Sequence, residues 1–459
     1  MGVMIAGPAV AMPGMAVATG TRPGLLGLNR YQWTVLFAAW LGWGFDVFDA
    51  MLFNYVAPNC VPTLLGLPIG SAEAKAQTLH YTGVITSLLL VGWAVGGIFF
   101  GRVCDRIGRT KTLLLTMSMY ALGTALCAMA PNIGFLIAFR LIASLGIGGE
   151  WAAGASMVAE VVPERRRVEA GALLSTAGPI GLFLATYVTY WIQGVVFPSS
   201  PETAWRYVFL FGLVPAGVAF AVRMFVREPE RWKGVAEGAN PGISELFSPQ
   251  WRMATLGGLG LALTALITWW SCNAFIGVVA TGLANAKAAA EGLSAPATRQ
   301  LVQEWIKLAT NMFNIGSLIG GLMTVPLAKH LGRRAMYVTY FLLAAASIMG
   351  TFGLDLAPHS RLSGYFFIGL SVSGVFSSFT YYLPELFPTR LRATGAGFCY
   401  NAGRVVAAIG PFVVGSVASM GADGLTTAIR ILFWVGVVPL SGLLLTPWVI
   451  ETRYQELVD

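Results

Sequence analysis

The sequence predicts an all-α integral membrane protein: twelve transmembrane helices in two six-helix, pseudo-symmetric halves. Three observations predict it, namely a shortage of charge, twelve apolar runs, and a repeat of about 225 residues. The chain has 459 residues, of which 56% are apolar or aromatic and 11% are charged. Its mean hydropathy is +0.70. Soluble chains carry about 25% charged residues, so 11% cannot cover a water-soluble globule of this size and a soluble enzyme is nearly excluded. Glycine, at 55 residues, is well above its usual share of about 7%, as expected where membrane helices pack closely.

The apolar runs fall at 31–56, 80–101, 112–130, 133–160, 168–192 and 205–226, then at 253–282, 303–328, 335–354, 362–386, 393–419 and 430–449. A membrane-spanning helix needs about 20 apolar residues. The runs divide the chain into a tail at 1–30, a six-helix bundle at 31–226, a polar linker at 227–252, a second bundle at 253–449, and a tail at 450–459. The first tail has no charged side chain from Met1 to Gly20. A signal peptide would begin with a basic segment, so this stretch reads as a disordered tail.

Orientation follows from the basic residues. Alternate segments with the run ends beside them, starting with the N-terminal tail, hold 20 of the 29 Lys and Arg; the intervening ones hold 7, and Arg140 and Arg404 lie deep inside runs. That asymmetry puts both termini and the linker in the cytoplasm of a cell inner membrane. The same rule accounts for the net charge of +8. No clustered basic patch with interleaved aromatics suggests a nucleic-acid partner. Cys60, Cys104, Cys127, Cys272 and Cys399 are scattered without ligand spacing, so neither a disulfide framework nor a metal or other cofactor is expected. An ATP-driven pump lacks its G-x-x-x-x-G-K-[ST] loop.

The halves repeat. Val158 to Ala172 (VAEVVPERRRVEAGA) aligns with Leu383 to Gly397 (LPELFPTRLRATGAG), pairing Glu160 with Glu385 and Arg167 with Arg392 at an offset of 225. Ile107 to Thr110 (IGRT) aligns with Leu331 to Arg334 (LGRR) at 224. Two segments sharing nearly one offset indicate a duplicated six-helix unit.

The loop from Gly101 to Lys111 (GRVCDRIGRTK) matches the G-x-x-x-D-R-x-G-R signature of the major facilitator superfamily. Arg227 to Trp232 (REPERW) and Glu451 to Arg453 (ETR) are similar to its elements after helices 6 and 12. On these motifs the whole chain resembles that superfamily. Its parallel repeats place a substrate site near the membrane midplane between the halves, a geometry described for this superfamily itself. More narrowly, Asp46-Val-Phe-Asp49 is similar to the D-G-F-D motif of the aromatic acid:proton symporters, with Val47 in place of Gly. Arg140 to Trp151 (RLIASLGIGGEW), with PELFPTRLRATGAG, resembles the sialate:proton symporters and related organic-acid carriers. The resemblance implies proton-coupled uptake of a small carboxylate, partners limited to a small organic anion, the proton and lipid, and a monomer. Composition and periodicity by themselves specify only a membrane carrier or channel.

Asp46 and Asp49 lie inside the first run at i, i+3, hence on one face of a helix and able to point into one cavity. An ionised carboxylate at a helix centre in lipid costs roughly 2.5–3.5 kcal/mol or more, and two neighbouring carboxylates raise one another's proton affinity. They are candidates for proton coupling; the alternative is a pair fixed in salt bridges to Arg140 or Arg404. Arg140 matches the superfamily's buried arginine in helix 4, implicated in proton coupling. Glu150, ten residues on, lies at another depth and either joins that role or anchors the helix end. Arg404, inside the eleventh run, aligns with Pro179, so the shared scaffold does not account for it. A guanidinium can grip a carboxylate in a two-pronged fork. It is the candidate substrate clamp, with neighbouring Asn401.

The fold implied by the resemblance lines its cavity with helices 1, 4, 7 and 10. That adds Trp269, Trp270 and Asn273 in the seventh run and Tyr381 and Tyr382 in the tenth as candidate substrate contacts, against a packing or interfacial role for the aromatics. Asn311 and Asn314 in the eighth run are candidates too, with interhelical hydrogen bonding as the alternative. Gly101, Asp105, Arg106, Gly108 and Arg109 form a candidate conformational latch against the ends of helices 4, 5 and 11. Lys329 stands where Asp105 stands in the first half, so an asymmetric latch is expected, stronger in the first half. These residues together predict an alternating-access symporter of a monocarboxylate or aromatic acid with protons. A carrier of sugar or another neutral metabolite is the first alternative and a transporter-like nutrient sensor the second.

Overall fold

A computed structural model describes residues 25–69, 71–197, 199–228, 242–274, 276–409 and 424–453. Among the described residues, twelve helices form around the twelve apolar runs. They are α1 (Arg30–Leu65), α2 (Ala72–Ile107), α3 (Arg109–Ala128), α4 (Ile133–Val161), α5 (Arg167–Ser175, Ala177–Tyr190 and a π-helical end, Trp191–Val196) and α6 (Pro201–Phe211 and Leu213–Met224). The second half repeats them as α7 (Arg252–Ala274 and Ile276–Ala290), α8 (Ala295–Pro326 with a π-helical end, Leu327–Leu331), α9 (Arg333–Gly353), α10 (Pro358–Ser363 and Tyr365–Glu385), α11 (Arg392–Ala407) and α12 (Gly424–Val435 and Val437–Leu443). Among the described residues, eleven helices are long and apolar enough to cross a membrane; α11 is described for 16 residues only. Most of the N-terminal tail (1–24), residues 229–241 of the linker with most of the REPERW element, and residues 454–459 lie outside the described residues.

Helix ends follow local chemistry. Asn29 caps α1 in a capping box with Gln32, at 2.9 Å in each direction. α1 runs to Leu65, nine residues beyond its apolar run, with Pro58 and Pro62 inside it; neighbouring helices make such prolines tolerable in membrane helices. It stops where Gly66 turns to φ +69°.

The glycines set the packing. A Cβ on Gly96 (α2) would fall 2.0 Å from the Leu145 carbonyl oxygen of α4, and one on Gly148 (α4) 2.1 Å from the Trp93 carbonyl oxygen of α2. The second half copies this: a Cβ on Gly320 (α8) would fall 1.9 Å from the Leu370 oxygen of α10. Backbone thus meets backbone, the close approach that small residues permit in membranes. Large apolar side chains such as Phe99, Leu122 and Trp434 are exposed on the outer faces, where hydrocarbon is the natural solvent.

The loops after α2 and α8 are also copies. Gly108 (φ +110°) and Gly332 (φ +88°) open α3 and α9 in a conformation that favours glycine. Glu228 accepts hydrogen bonds from the backbone N–H of Arg109 (2.8 Å) and Thr110 (2.9 Å), and Glu451 from those of Arg333 (3.0 Å) and Arg334 (3.2 Å). Each carboxylate sits on the positive end of a helix dipole. This gives physical content to the acidic elements that follow helices 6 and 12.

Candidate functional site

A cavity of about 100 Å³ lies between the halves. From the first half it takes Trp43, Val47 and Met51 (α1), Trp93 (α2), and Ser175, Gly178, Pro179 and Leu182 (α5). The second contributes Leu266, Trp269 and Trp270 (α7), Phe313, Asn314 and Ser317 (α8), Ser373, Phe376 and Ser377 (α10), and Tyr400 and Arg404 (α11). The expected lining by helices 1, 7 and 10 appears. α4 supplies none of these lining residues, while α2, α5, α8 and α11 do. Pro179 and Arg404, aligned by the repeat, both line the cavity and so face each other's half as the duplication dictates.

The walls are aromatic, and Arg404 is the one charged group among these lining residues. It is 3% exposed. Its guanidinium carbon lies 3.9 Å from the Trp93 ring centroid and 4.4 Å from that of Tyr400, a cation–π arrangement strengthened by burial. Nη1 donates to Asn401 Oδ1 at 2.5 Å, while Nε is buried with no hydrogen-bond partner among the described residues. Tyr400 in turn stacks on Trp151 of α4 at 4.0 Å. Ser373 donates to Ser317 at 2.8 Å across α8 and α10, adding a polar strip.

The two α1 carboxylates diverge, contrary to the expectation of one shared cavity. Neither lines it. Positions i and i+3 are about 60° apart around a helix, enough for each to reach a different cation. Asp49 turns towards α3 and α4: Oδ1 accepts from Thr124 Oγ1 at 2.6 Å and Oδ2 pairs with Arg140 Nη1 at 3.4 Å. Arg140 Nη2 also donates to the Asp49 and Ala50 carbonyls at 3.2 and 3.1 Å. The salt-bridge alternative thus describes Asp49. Asp46 is buried too, near enough for its charge to act on Arg404. Glu150 is buried beside Thr116, whose Oγ1 lies 3.4 Å from its Oε2, well away from Arg140's partners.

Other sequence candidates lie outside the lining. Asn401 stands behind Arg404. Tyr381 shares a hydrogen bond with Thr324 (3.0 Å), and the Tyr382 hydroxyl accepts from Ile450 N (3.1 Å); neither lines the cavity. Asn273 and Asn311 are half-buried without lining the cavity, whereas Asn314 lines it. Sequence reasoning missed Trp43, Trp93 and Tyr400. Tyr400 was legible as an aromatic four residues before Arg404 on one helix; Trp93 comes from the other half, and no local signal ties it to Arg404.

The faces holding the basic loops are sealed by ion pairs. Arg109 pairs with Asp105 and Glu160, each at 2.8 Å, and Nη2 reaches the Thr389 carbonyl of the other half at 3.0 Å. Asp105 Oδ2 accepts from Thr394 N and Oγ1, both at 2.7 Å. Gly101 leaves room for α11, since a Cβ there would sit 2.9 Å from the Ala393 oxygen; Arg106 is exposed. Glu160 is also paired with Arg392 (3.2 Å), and reciprocally Glu385, held by Arg333 (3.0 Å), pairs with Arg167 (3.4 Å). Lys329 does not leave its side open: it pairs with Glu169 of the first half and donates to the Arg165 carbonyl at 3.2 Å. The two sides therefore differ in chemistry while both cross between the halves.

Comparison with known proteins agrees with this architecture. The Major Facilitator Superfamily profile matches residues 2–411. A probable 4-methylmuconolactone transporter of Cupriavidus pinatubonensis is 29% identical over 85% of this chain and 83% of its own. A cis,cis-muconate transport protein of Acinetobacter baylyi is 26% identical over 90% and 94%. Among solved structures, the proton:xylose symporter XylE superposes with a TM-score of 0.72 at 16% identity, covering 93% of this chain and 98% of that one. The duplicated helices, the twin acid-capped loops and the cavity between the halves are those of a transporter, and the chain belongs to the Major Facilitator Superfamily.

Proposed function

We propose that this transporter carries a small organic anion, a monocarboxylate or aromatic acid, in symport with protons by alternating access. The observation that carries the reading is the cavity itself: aromatic walls around a single buried guanidinium whose Nε has no partner among the described residues. A flat acid fits both features, with its ring against the tryptophans and its carboxylate on Arg404. The muconate relative, named for a carboxylate, supports the same class. A neutral sugar would bring the guanidinium no counter-charge of its own.

Coupling follows from Asp46. Ionised, it competes with a substrate carboxylate for the field of Arg404; protonated, it leaves Arg404 to the substrate. Proton and anion therefore favour each other's binding, which is the thermodynamic requirement for symport. Asp49 with Arg140 is a second proton-responsive pair, and Glu150 stands further along the same helix. Gly101, Asp105, Arg106, Gly108 and Arg109 serve the latch that closes the basic face. The excess of Lys and Arg on that face supports a cytoplasmic position for it and for both termini, with the carrier working as a monomer in the inner membrane.

Uptake into proteoliposomes tests this with a panel of labelled aromatic acids, aliphatic acids and sugars, with and without an inward proton gradient. Acid accumulation that needs the gradient and collapses with a protonophore is expected. Accumulation of sugars only, or driven by sodium only, overturns the proposal.

A further inference from the structure

The residue behind Arg404 has its own task. Asn401 is fully buried. Its Nδ2 donates to the Gly397 carbonyl at 2.9 Å, which fixes the amide so that Oδ1 faces Arg404 Nη1 at 2.5 Å. A flipped amide would set N–H against N–H. The amide cannot swing away, because α2 of the other half stands against it: a Cβ on Gly97 would fall 2.1 Å from Nδ2. One turn earlier on that helix, Trp93 covers the guanidinium. With rings on its face and Asn401 on Nη1, Arg404 lines the cavity.

We propose that Asn401 is a positioning residue that orients Arg404 as an anion clamp while adding no charge of its own, an inference that rests on the reading of Arg404 as the carboxylate's partner. Side-chain type is the point. A carboxylate at this position would orient the guanidinium equally well, but it would neutralise it at contact distance and turn the site against anions. An amide supplies the acceptor and leaves the net positive charge for the ligand. Asn401 thereby sets the preference of the cavity for acids over their neutral analogues without touching the substrate.

The test uses the purified full-length protein, with equilibrium dialysis of labelled benzoate and benzamide and melting temperatures for every variant. Wild type prefers benzoate, and Arg404→Lys abolishes most of that preference; if wild type shows no preference or Arg404→Lys retains it, the reading of Arg404 falls and this inference with it. Given that reading, Asn401→Asp lowers the benzoate-to-benzamide affinity ratio about a hundredfold and Asn401→Leu about tenfold, with benzamide binding unchanged. Asn401→Leu, which buries no new charge, decides the matter if Asn401→Asp does not fold. A wild-type ratio in the folded variants overturns the role of Asn401 and leaves Arg404 standing. So does an equal loss of both ligands alongside a lower melting temperature, which is the mark of a merely structural residue.

Discussion

Arg404 carries its charge among the faces of Trp93 and Tyr400 and the amide oxygen of Asn401. Such a cation was visible in the sequence, because an arginine inside an apolar run is rare and expensive. Arg404→Lys keeps the charge and loses the planar fork, so acid binding should weaken by about 1.5–3 kcal/mol, ten- to hundredfold in affinity, in a folded protein. Binding isotherms with an acid and its amide check this: a structural salt bridge would lose both alike. Asp49 makes a different prediction. Asp49→Asn keeps the shape and the Thr124 contact but cannot ionise beside Arg140. It should retain substrate exchange and lose gradient-driven accumulation, at a stability cost of up to about 3–5 kcal/mol for a broken buried pair. Because Arg140 keeps its two carbonyl partners, the loss should lie at the low end. Full accumulation by both Asp46→Asn and Asp49→Asn would remove the α1 carboxylates from coupling.

Helices are placed by glycine-mediated contact and by acid caps. The methyl added by Gly148→Ala meets the Trp93 carbonyl at 2.1 Å, and backbone cannot step aside as a side chain can. Overpacking of this kind costs about 1–3 kcal/mol, so the melting temperature should fall, and Gly320→Ala in the second half should behave alike. Little change in either variant would show that α2 with α4, and α8 with α10, can separate freely. Removing a capping charge by Glu228→Gln or Glu451→Gln should cost less, about 0.3–1 kcal/mol. Apolar runs revealed twelve helices, but among the described residues the ends are displaced by up to nine residues, as where α2 starts at Ala72 and α8 at Ala295, eight residues before their runs. The runs did not reveal the continuation of α1 past Pro58 and Pro62, nor the π-helical ends of α5 and α8. Those depend on neighbours that re-satisfy backbone groups, and a linear pattern does not encode neighbours.

At the scale of the whole molecule, the seal on the basic face sets the balance between states. Glu160 holds Arg109 of its own half and Arg392 of the other, and Glu385 does the same with Arg333 and Arg167. Each reciprocal bridge exists only while the halves are closed on that side. Glu160→Gln should therefore shift the equilibrium towards opening at the basic face, by about ten- to hundredfold for the loss of one charge-assisted bond. A cysteine at Ser377 in the cavity, labelled with an impermeant thiol reagent from the basic side, reports it as faster modification. Asp105→Asn should act in the same direction through Thr394. Unchanged labelling in both variants, with normal transport, would confine these residues to folding.

The sequence by itself determined the solvent of this protein, the number of its helices, their duplication and the charged residues that needed an explanation. Those properties are linear: hydropathy, periodicity, spacing and an offset are carried by neighbours along the chain. Tertiary structure decided which charge answers which. Asp46 and Asp49 share a helical face in sequence, yet one lies near Arg404 and the other pairs with Arg140. Trp93 and Arg404 are separated by most of the chain, yet a stacking contact joins them. The repeat matched Glu160 with Glu385 and Arg167 with Arg392, and only the closure of the halves crossed those pairs. The physical reason is that burial makes a charge seek the nearest compensating group in space, and distance in space is fixed by how two bundles meet.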